Sequence, residues 1–224
     1  MVVADDRYVI RSQNDNLIYW EQGVYPEWTR ISALRSIPGQ KRGAGVEPHY
    51  HDNDEIWLFL SGCGEVWLDS EKFEITPGTV IYTPMGVVHR FQMFTDFDNV
   101  AIVTPLEGQK RATHILVEET GPPIHTVAGF VIPGSENRGP FPNPGTRCPL
   151  SELREVVLEA SQEVGEAKLA ANEHWIVLSG GVHLEVDGLE VELGPHDLAL
   201  LRAGGVRRLH SPQGTRLALA REKT

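Results

Sequence analysis

The sequence predicts an all-β protein with two barrels of antiparallel strands in one chain. Two observations carry this. Short segments rich in β-branched and aromatic residues follow one another between Glu55 and Pro105: "EIWLFLSG", "GEVWLD", "KFEITPG", "TVIYTP", "HRFQMF" and "NVAIVTP". Each is bounded by turn residues, and regular short strands of this kind are the pattern of a sandwich or barrel. The pattern also occurs twice. "EIWLFLSGCGEVWLD" from Glu55 returns as "EHWIVLSGGVHLEVD" from Glu173, 118 residues later, and Gly86 of "TPMG" returns at the same offset as Gly204 of "RAGG". Two copies of one strand-rich unit fit a duplicated barrel better than a single sandwich.

In chain order, residues 1–118 are the expected first barrel, 119–147 a Pro- and Gly-rich connection, and 148–224 the second barrel. The early segment "RYVIRSQNDNLIYW" (7–20) precedes the first repeat. It is expected to pair onto the other barrel or across a subunit, which predicts a homodimer, with a monomer as the alternative. The stretch "SELREVVLEASQEV" (151–164) has helical composition and a potential cap in Ser151. The repeat aligns it near "RISALRSIPG", so "LREVVLE" is read as a strand whose context overrides its propensity.

Composition narrows the function classes. The chain has 224 residues, 41% of them hydrophobic, enough for a real core. Its net charge is −11 and the acidic residues are dispersed, which argues against nucleic acid as a partner. The first residues, "MVVADDRYVI", lack the basic region and apolar run of a signal peptide, and no apolar stretch is long enough to span a membrane. The expectation is a cytoplasmic protein. Cys63 and Cys148 are far apart and form no CxxC, so reduced thiols are expected.

One short stretch carries chemistry. "EPHYHDNDEIW" places His49 and His51 two residues apart and Glu55 four residues further on. Residues i and i+2 of a strand share a face, so both imidazoles point one way, and Glu55 can return inward from the next strand. His89 follows in "PGTVIYTPMGVVHRF". The full spacing is Gly43-x5-His49-x-His51-x3-Glu55-x6-Gly62, then Gly78-x5-Pro84-x-Gly86-x2-His89. This resembles the two-part signature of the cupin superfamily. The departure is at the end of the second part, where the family often has Asn and this chain has Met93. Residues 43–93 carry the resemblance strongly and 165–210 carry it through the repeat, so the chain resembles a bicupin.

The resemblance implies two cupin jelly-roll barrels (double-stranded β-helices). It also implies a single divalent transition metal held by His49, His51, Glu55 and His89. Three imidazoles and a carboxylate suit Fe, Mn, Co, Ni, Zn or Cu, and Fe(II) is the metal favoured here. The second copy has lost the set. His49, His51 and His89 map to Ala167, Leu169 and Arg207, and Glu55 alone keeps its type, as Glu173. Arginine stays protonated and is no practical ligand. The second barrel is therefore expected to hold no metal and a Glu173–Arg207 ion pair, with an anion site using Arg207, joined by Arg202 or Arg208, as the alternative. His174, His183, His196 and His210 do not reproduce the ligand spacing.

Alternation places Trp57 and Phe59 on the face of Glu55, and Phe91 and Met93 inward from His89. These are the expected pocket walls. Tyr82 shares parity with Pro84 and offers a donor or general acid. Arg30 and Arg35, on the strand leading into the motif, could clamp a substrate carboxylate or be exposed strand charges. The resemblance admits several activities. A dioxygenase-type oxidoreductase acting on a chelating small molecule is favoured, because the aromatic pocket offers few acid–base groups. The alternatives are an isomerase, cyclase or lyase, with a metal-polarised carbonyl and Glu55 or Tyr82 moving the proton, and a non-catalytic small-molecule binder.

Overall fold

A computed structural model of the chain describes residues 9–10, 25–106, 108, 110–111, 114–141 and 147–224. Among the described residues the regular secondary structure is almost entirely strand. The chain enters with β1 (Val9–Ile10), then β2 (Ala33–Gln40), β3 (Gly45–Tyr50), β4 (Glu55–Phe59), β5 (Gly64–Leu68), β6 (Glu71–Ile75), β7 (Val80–Thr83), β8 (His89–Met93) and β9 (Phe97–Val103). After β10 (Ile115–Leu116) comes one turn of helix, α1 (Val117–Thr120), and then β11 (Phe130–Ile132). The second repeat supplies β12 (Leu150–Leu158), β13 (Gln162–Lys168), β14 (Glu173–Gly180), β15 (Val182–Val186), β16 (Leu189–Leu193), β17 (Leu198–Leu201), β18 (Val206–Ser211) and β19 (Thr215–Glu222).

The strand orders show the duplication directly. One unit pairs β11-β7-β4-β9-β2 in one sheet and β10-β3-β8-β5-β6 in the other. The other unit pairs β1-β17-β14-β19-β12 and β13-β18-β15-β16. Adding ten to each label of the first unit's central strands gives the second unit's order, as the 118-residue offset requires. The stretch 150–158 is strand β12, paired with β19 from Leu150↔Glu222 to Leu158↔Thr215. Cross-strand pairing overrides its helical composition.

The units differ from the expected boundaries in two places. Strand β1 does not join the first barrel; Val9 and Ile10 pair with Ala199 and Leu198 of β17. Strand β11, inside the expected connection 119–147, pairs with β7 through Phe130↔Tyr82 to Ile132↔Val80. The compact units are accordingly Arg30–Pro149 on one side, and β1, Pro26–Thr29 and Leu150–Thr224 on the other. Strands β7 and β17 are repeat equivalents, and each would otherwise end its sheet with unpaired backbone groups. Each repeat fills that edge with a segment that the other repeat does not copy. Apart from β1, the segment 7–20 on which the expected homodimer rested lies outside the described residues.

Each barrel has its own apolar interior. In the first, Trp57, Phe59, Val66, Leu68, Ile75, Ile81, Met93 and Phe97 pack together. In the second, Trp175, Val177, Leu184, Leu193, Leu201, Leu217 and Leu219 do the same. Gly62 shows how tightly the first barrel's corners close. It sits at φ +85°, and a Cβ there would meet Phe97 Cβ at 2.6 Å and the Asp96 carbonyl at 2.7 Å. Cys63 is exposed, Cys148 is buried, and the two are not bridged. No helix among the described residues is long and apolar enough to cross a membrane.

Candidate metal centre

The four expected ligands converge at one end of the first barrel. His49, the penultimate residue of β3, lies directly opposite His89, the first residue of β8. The β3–β8 register shifts between Val46 and His49. This bulge re-aims the end of β3. His51 follows at once, its ring 4.9 Å from that of His49, so the shared face expected of an HxH pair is present. Glu55 opens β4 between Val103 and Thr83. The turn before His89 is tied to the ligand strand, since the Gly86 N–H donates to the His51 carbonyl at 3.0 Å. Gly86 has φ +85°, a backbone state that suits glycine.

The ring of His49 lies 4.2 Å from that of His89. Glu55 Oε2 is 3.2 Å from His51 Nε2 and 3.5 Å from His89 Nε2. Two imidazoles are oriented by the backbone. His49 Nδ1 bonds the Glu47 carbonyl at 2.7 Å, and His89 Nδ1 bonds the Val87 carbonyl at 3.0 Å. A carbonyl only accepts, so each Nδ1 carries the proton and each Nε2 presents a lone pair inward.

The electrostatics match. Burial, with His89 alongside, pushes His49 down to about 3, so it stays a neutral imidazole. Burial alone would raise the Glu55 carboxyl, but the imidazoles of His51 and His89 outweigh it and hold Glu55 well below the usual carboxylate range. The decisive observation concerns hydrogen bonds. His49 Nε2, His51 Nε2, Glu55 Oε2 and His89 Nε2 are all buried, and none makes a hydrogen bond to the described residues. Buried polar atoms are seldom left without partners. Four such atoms at one point, three imidazole nitrogens and a carboxylate oxygen, fit a divalent transition metal.

The family comparison agrees. Residues 39–104 match the model of the cupin domain. The match lies within the first repeat. Over 82 residues it is 33% identical to "Uncharacterized protein y4oW" of Sinorhizobium fredii strain NGR234, covering 36% of this chain and 38% of that protein. The chain thus spans well under two thirds of that relative. Among solved structures it resembles the salicylate 1,2-dioxygenase of Pseudaminobacter salicylatoxidans, with TM-score 0.56 and 10% identity over 90% of this chain and 73% of that one. It also resembles the 11S allergen of Cocos nucifera, with TM-score 0.63 and 13% identity over 87% and 81%. At such identities the likeness is one of fold. It extends over nearly the whole chain.

The expected pocket residues divide by depth. Trp57 lies edge-on to His89 at 6.0 Å and to Phe91 at 4.7 Å, beside the ligands. Phe59 lies deeper, within 6.0 Å of both Phe91 and Phe97. Met93 is buried in the same apolar cluster, opposite Gly64. Arg35 pairs with Ala101, which pairs with Trp57, so it faces inward. It acts electrostatically on Glu55 and on His114. Arg30 is exposed.

Tyr82 departs from expectation. It pairs with Ile56, whereas Glu55 pairs with Thr83 and Trp57 with Ile81. Parity in the strand therefore puts Tyr82 on the opposite face from the ligands. It is fully buried beside Phe130, and its hydroxyl donates to Asp54 Oδ2 at 2.9 Å. Burial and the Asp54 carboxylate push the phenol well above its usual range, so it is no general acid for the ligand side. The parity argument failed because Pro84 already belongs to a turn, outside the strand alternation.

Two residues of the site were not singled out from the sequence. Asp54, adjacent to Glu55, accepts from Tyr82 Oη, from the Met85 N–H at 2.8 Å and from Arg147 Nε at 3.2 Å. It braces the turn that delivers His89. His114 stacks on His49 with centroids 4.1 Å apart and lies 5.0 Å from His51. His49, His51 and His114 form one group with metal-ligating geometry, and His51, Glu55 and His89 form another. The repeat could not have flagged His114, because the position 118 residues on lies beyond residue 224.

The second barrel shows the same position in another state. Glu173 Oε1 accepts from Arg221 Nε at 2.9 Å and Nη2 at 2.8 Å, and Oε2 accepts from Trp175 Nε1 at 2.9 Å. Arg207 reaches Glu173 at 3.6 Å, which is the expected ion pair, and lies over the Trp175 ring. Arg221 also contacts Glu152. Arg208 turns to the exposed Glu166 and the half-buried Glu185, and Arg202 is exposed. The repeat equivalents Trp57 and Glu55 do not bond each other; Trp57 Nε1 is buried without a hydrogen-bond acceptor among the described residues.

Proposed function

We propose that the first barrel binds one divalent transition metal through His49, His51, Glu55 and His89, Fe(II) being favoured, and that the protein is a dioxygenase-type oxidoreductase acting on a chelating small molecule. The observation that carries this reading is the set of four buried ligand atoms without hydrogen-bond partners. When bound, such a metal supplies a means of activating dioxygen beside a coordinated substrate. The chain's own residues do the rest. Trp57 and Phe91 wall the ligand side with apolar surface and exclude water. Arg35 faces the same side and offers a cation to a substrate carboxylate. The Trp57 N–H offers a donor to a coordinated oxygen atom.

Tyr82 is removed from the ligand side, which leaves Glu55 as the proton carrier of the original pair, and Glu55 is held ionised. The removal of Tyr82 as a proton donor on that side supports oxygen chemistry over the isomerase, cyclase or lyase reading. The substrate class that fits is a carboxylate with an adjacent oxygen donor, as in a 2-hydroxy or 2-oxo acid. Salicylate, named for one neighbour of like fold, has that pair and belongs in the panel.

The test is dioxygen uptake by Fe(II)-loaded protein against a panel of 2-hydroxy and 2-oxo carboxylates. One O2 consumed per substrate molecule is the expected result. Turnover that continues without dioxygen would assign the isomerase or lyase reading. A loaded site with no turnover of any panel member would favour the binding protein.

A further inference from the structure

We infer that His114 is a fifth protein ligand of this metal, and that it is displaced when a chelating molecule binds. The inference rests on the metal-binding reading above and adds a residue outside the four-ligand set.

Position is the first ground. Strand β10 pairs antiparallel with β3 through Ile115↔Tyr50 and Leu116↔His49. Continuing that register sets His114 opposite His51, and opposed residues of a strand pair share a face. The placement is secured on both sides of the histidine. Upstream, the Arg111 N–H bonds Asp52 Oδ2 at 2.9 Å, and its side chain reaches both Asp52 oxygens at 3.0 and 3.2 Å. Downstream, Ile115 is buried, and Thr120 Oγ1 lies 3.1 Å from Tyr50 Oη.

Ligand geometry is the second ground. One nitrogen each from His49, His51 and His114 lies within 4.8 Å of the others. Two ligands about 2.1 Å from one ion can be at most about 4.2 Å apart. Shifts of a few tenths of an ångström therefore bring this group onto a single centre. The His51–Glu55–His89 group meets the same limit and shares His51. His51 belongs to both groups, so it is the residue through which they can meet on one ion as a five-ligand set.

Exposure is the third ground, and it separates His114 from the other four. His49, Glu55 and His89 are buried and His51 nearly so, whereas His114 is exposed at the rim. A buried ligand fixed by a backbone carbonyl has nowhere to go. An exposed one can swing out. Five protein ligands leave one open position on a six-coordinate ion, too few for a bidentate molecule. Release of His114 opens the second.

Two opposite changes test this in Co(II)-loaded protein, with acetohydroxamate as the bidentate probe. His114→Ala is expected to weaken Co(II) binding about tenfold or more and to change the visible absorption of the bound ion. The same variant is expected to bind acetohydroxamate more tightly than the wild type, since no ligand has to leave. His125→Ala, which removes a side chain held by Asp69 and the Val127 carbonyl, is the control and should change neither. Unchanged Co(II) affinity and spectrum in His114→Ala would overturn the inference and leave the four-ligand reading intact. Weaker Co(II) binding with unchanged or weaker hydroxamate binding would make His114 a packing residue and overturn it too. A wild type that binds no Co(II) would overturn the metal reading itself. His114→Gln, which keeps bulk at the rim, repeats the test should the alanine variant not fold.

Discussion

Tyr82→Phe separates a structural tyrosine from a catalytic one. The phenol lies on the face of β7 away from the ligands and donates a hydrogen bond to a carboxylate, Asp54 Oδ2 at 2.9 Å. Hydrogen bonds to charged groups contribute about 1.5–3 kcal/mol. Asp54 keeps the Met85 N–H and Arg147 in the variant, and its carboxylate stays mostly satisfied. The expected loss is therefore about 1–2 kcal/mol of stability. Asp54→Ala should cost more, about 3–5 kcal/mol, because it leaves the buried Tyr82 hydroxyl and the Met85 N–H without their acceptor. It should also weaken metal binding, because the turn carrying Met85 leads to His89. Urea unfolding with fluorescence detection gives the stabilities, and competition with a chromogenic chelator gives the metal affinity. Tyr82→Phe should leave that affinity unchanged. A loss of metal affinity in Tyr82→Phe as large as in Asp54→Ala, at intact stability, would refute the argument from strand parity.

Glu173→Gln should destabilise the second repeat by about 3–5 kcal/mol, since Arg207 and Arg221 then share a buried site short of one negative charge. Thermal unfolding measures this, and metal content should not change. The apoprotein should lose stability as the pH falls below about 6.5. His49 is held down to about 3 when folded, so between those values the unfolded chain takes up a proton that the folded one refuses. The slope is at most about 1.4 kcal/mol per pH unit for this group. Glu55, also depressed, adds a loss of the same sign once the pH drops below its ordinary range. Urea midpoints in EDTA from pH 7 to pH 4 measure the slope, and a midpoint that rises toward acid would contradict the assignment.

Much of the fold was legible because β-structure writes itself in alternation and turns. A 118-residue repeat then fixed the correspondence of strands, including β12 against a helical composition. The four ligands were legible because strand parity and hairpin glycines constrain where His49, His51, Glu55 and His89 can point. What was not legible depends on segments outside the repeat. Strands β1, β10 and β11 are two or three residues long and carry no periodic signal, yet they complete sheet edges and bring His114 to the site. Tyr82 was misplaced because counting from Pro84 carried alternation through a turn. Asp54 could have been found from its place beside Glu55, but a carboxylate that braces a loop has no spacing rule to announce it.

Metal stoichiometry per chain tests the central claim most directly. Elemental analysis of anaerobically purified wild type, His49→Ala, His89→Ala and Glu173→Gln should give one transition-metal ion per chain in the first and the last. His49→Ala and His89→Ala should be largely empty, because each loses a buried ligand atom. Two ions per chain, or full occupancy in His89→Ala with the fold intact, would contradict a single metal centre confined to the first barrel.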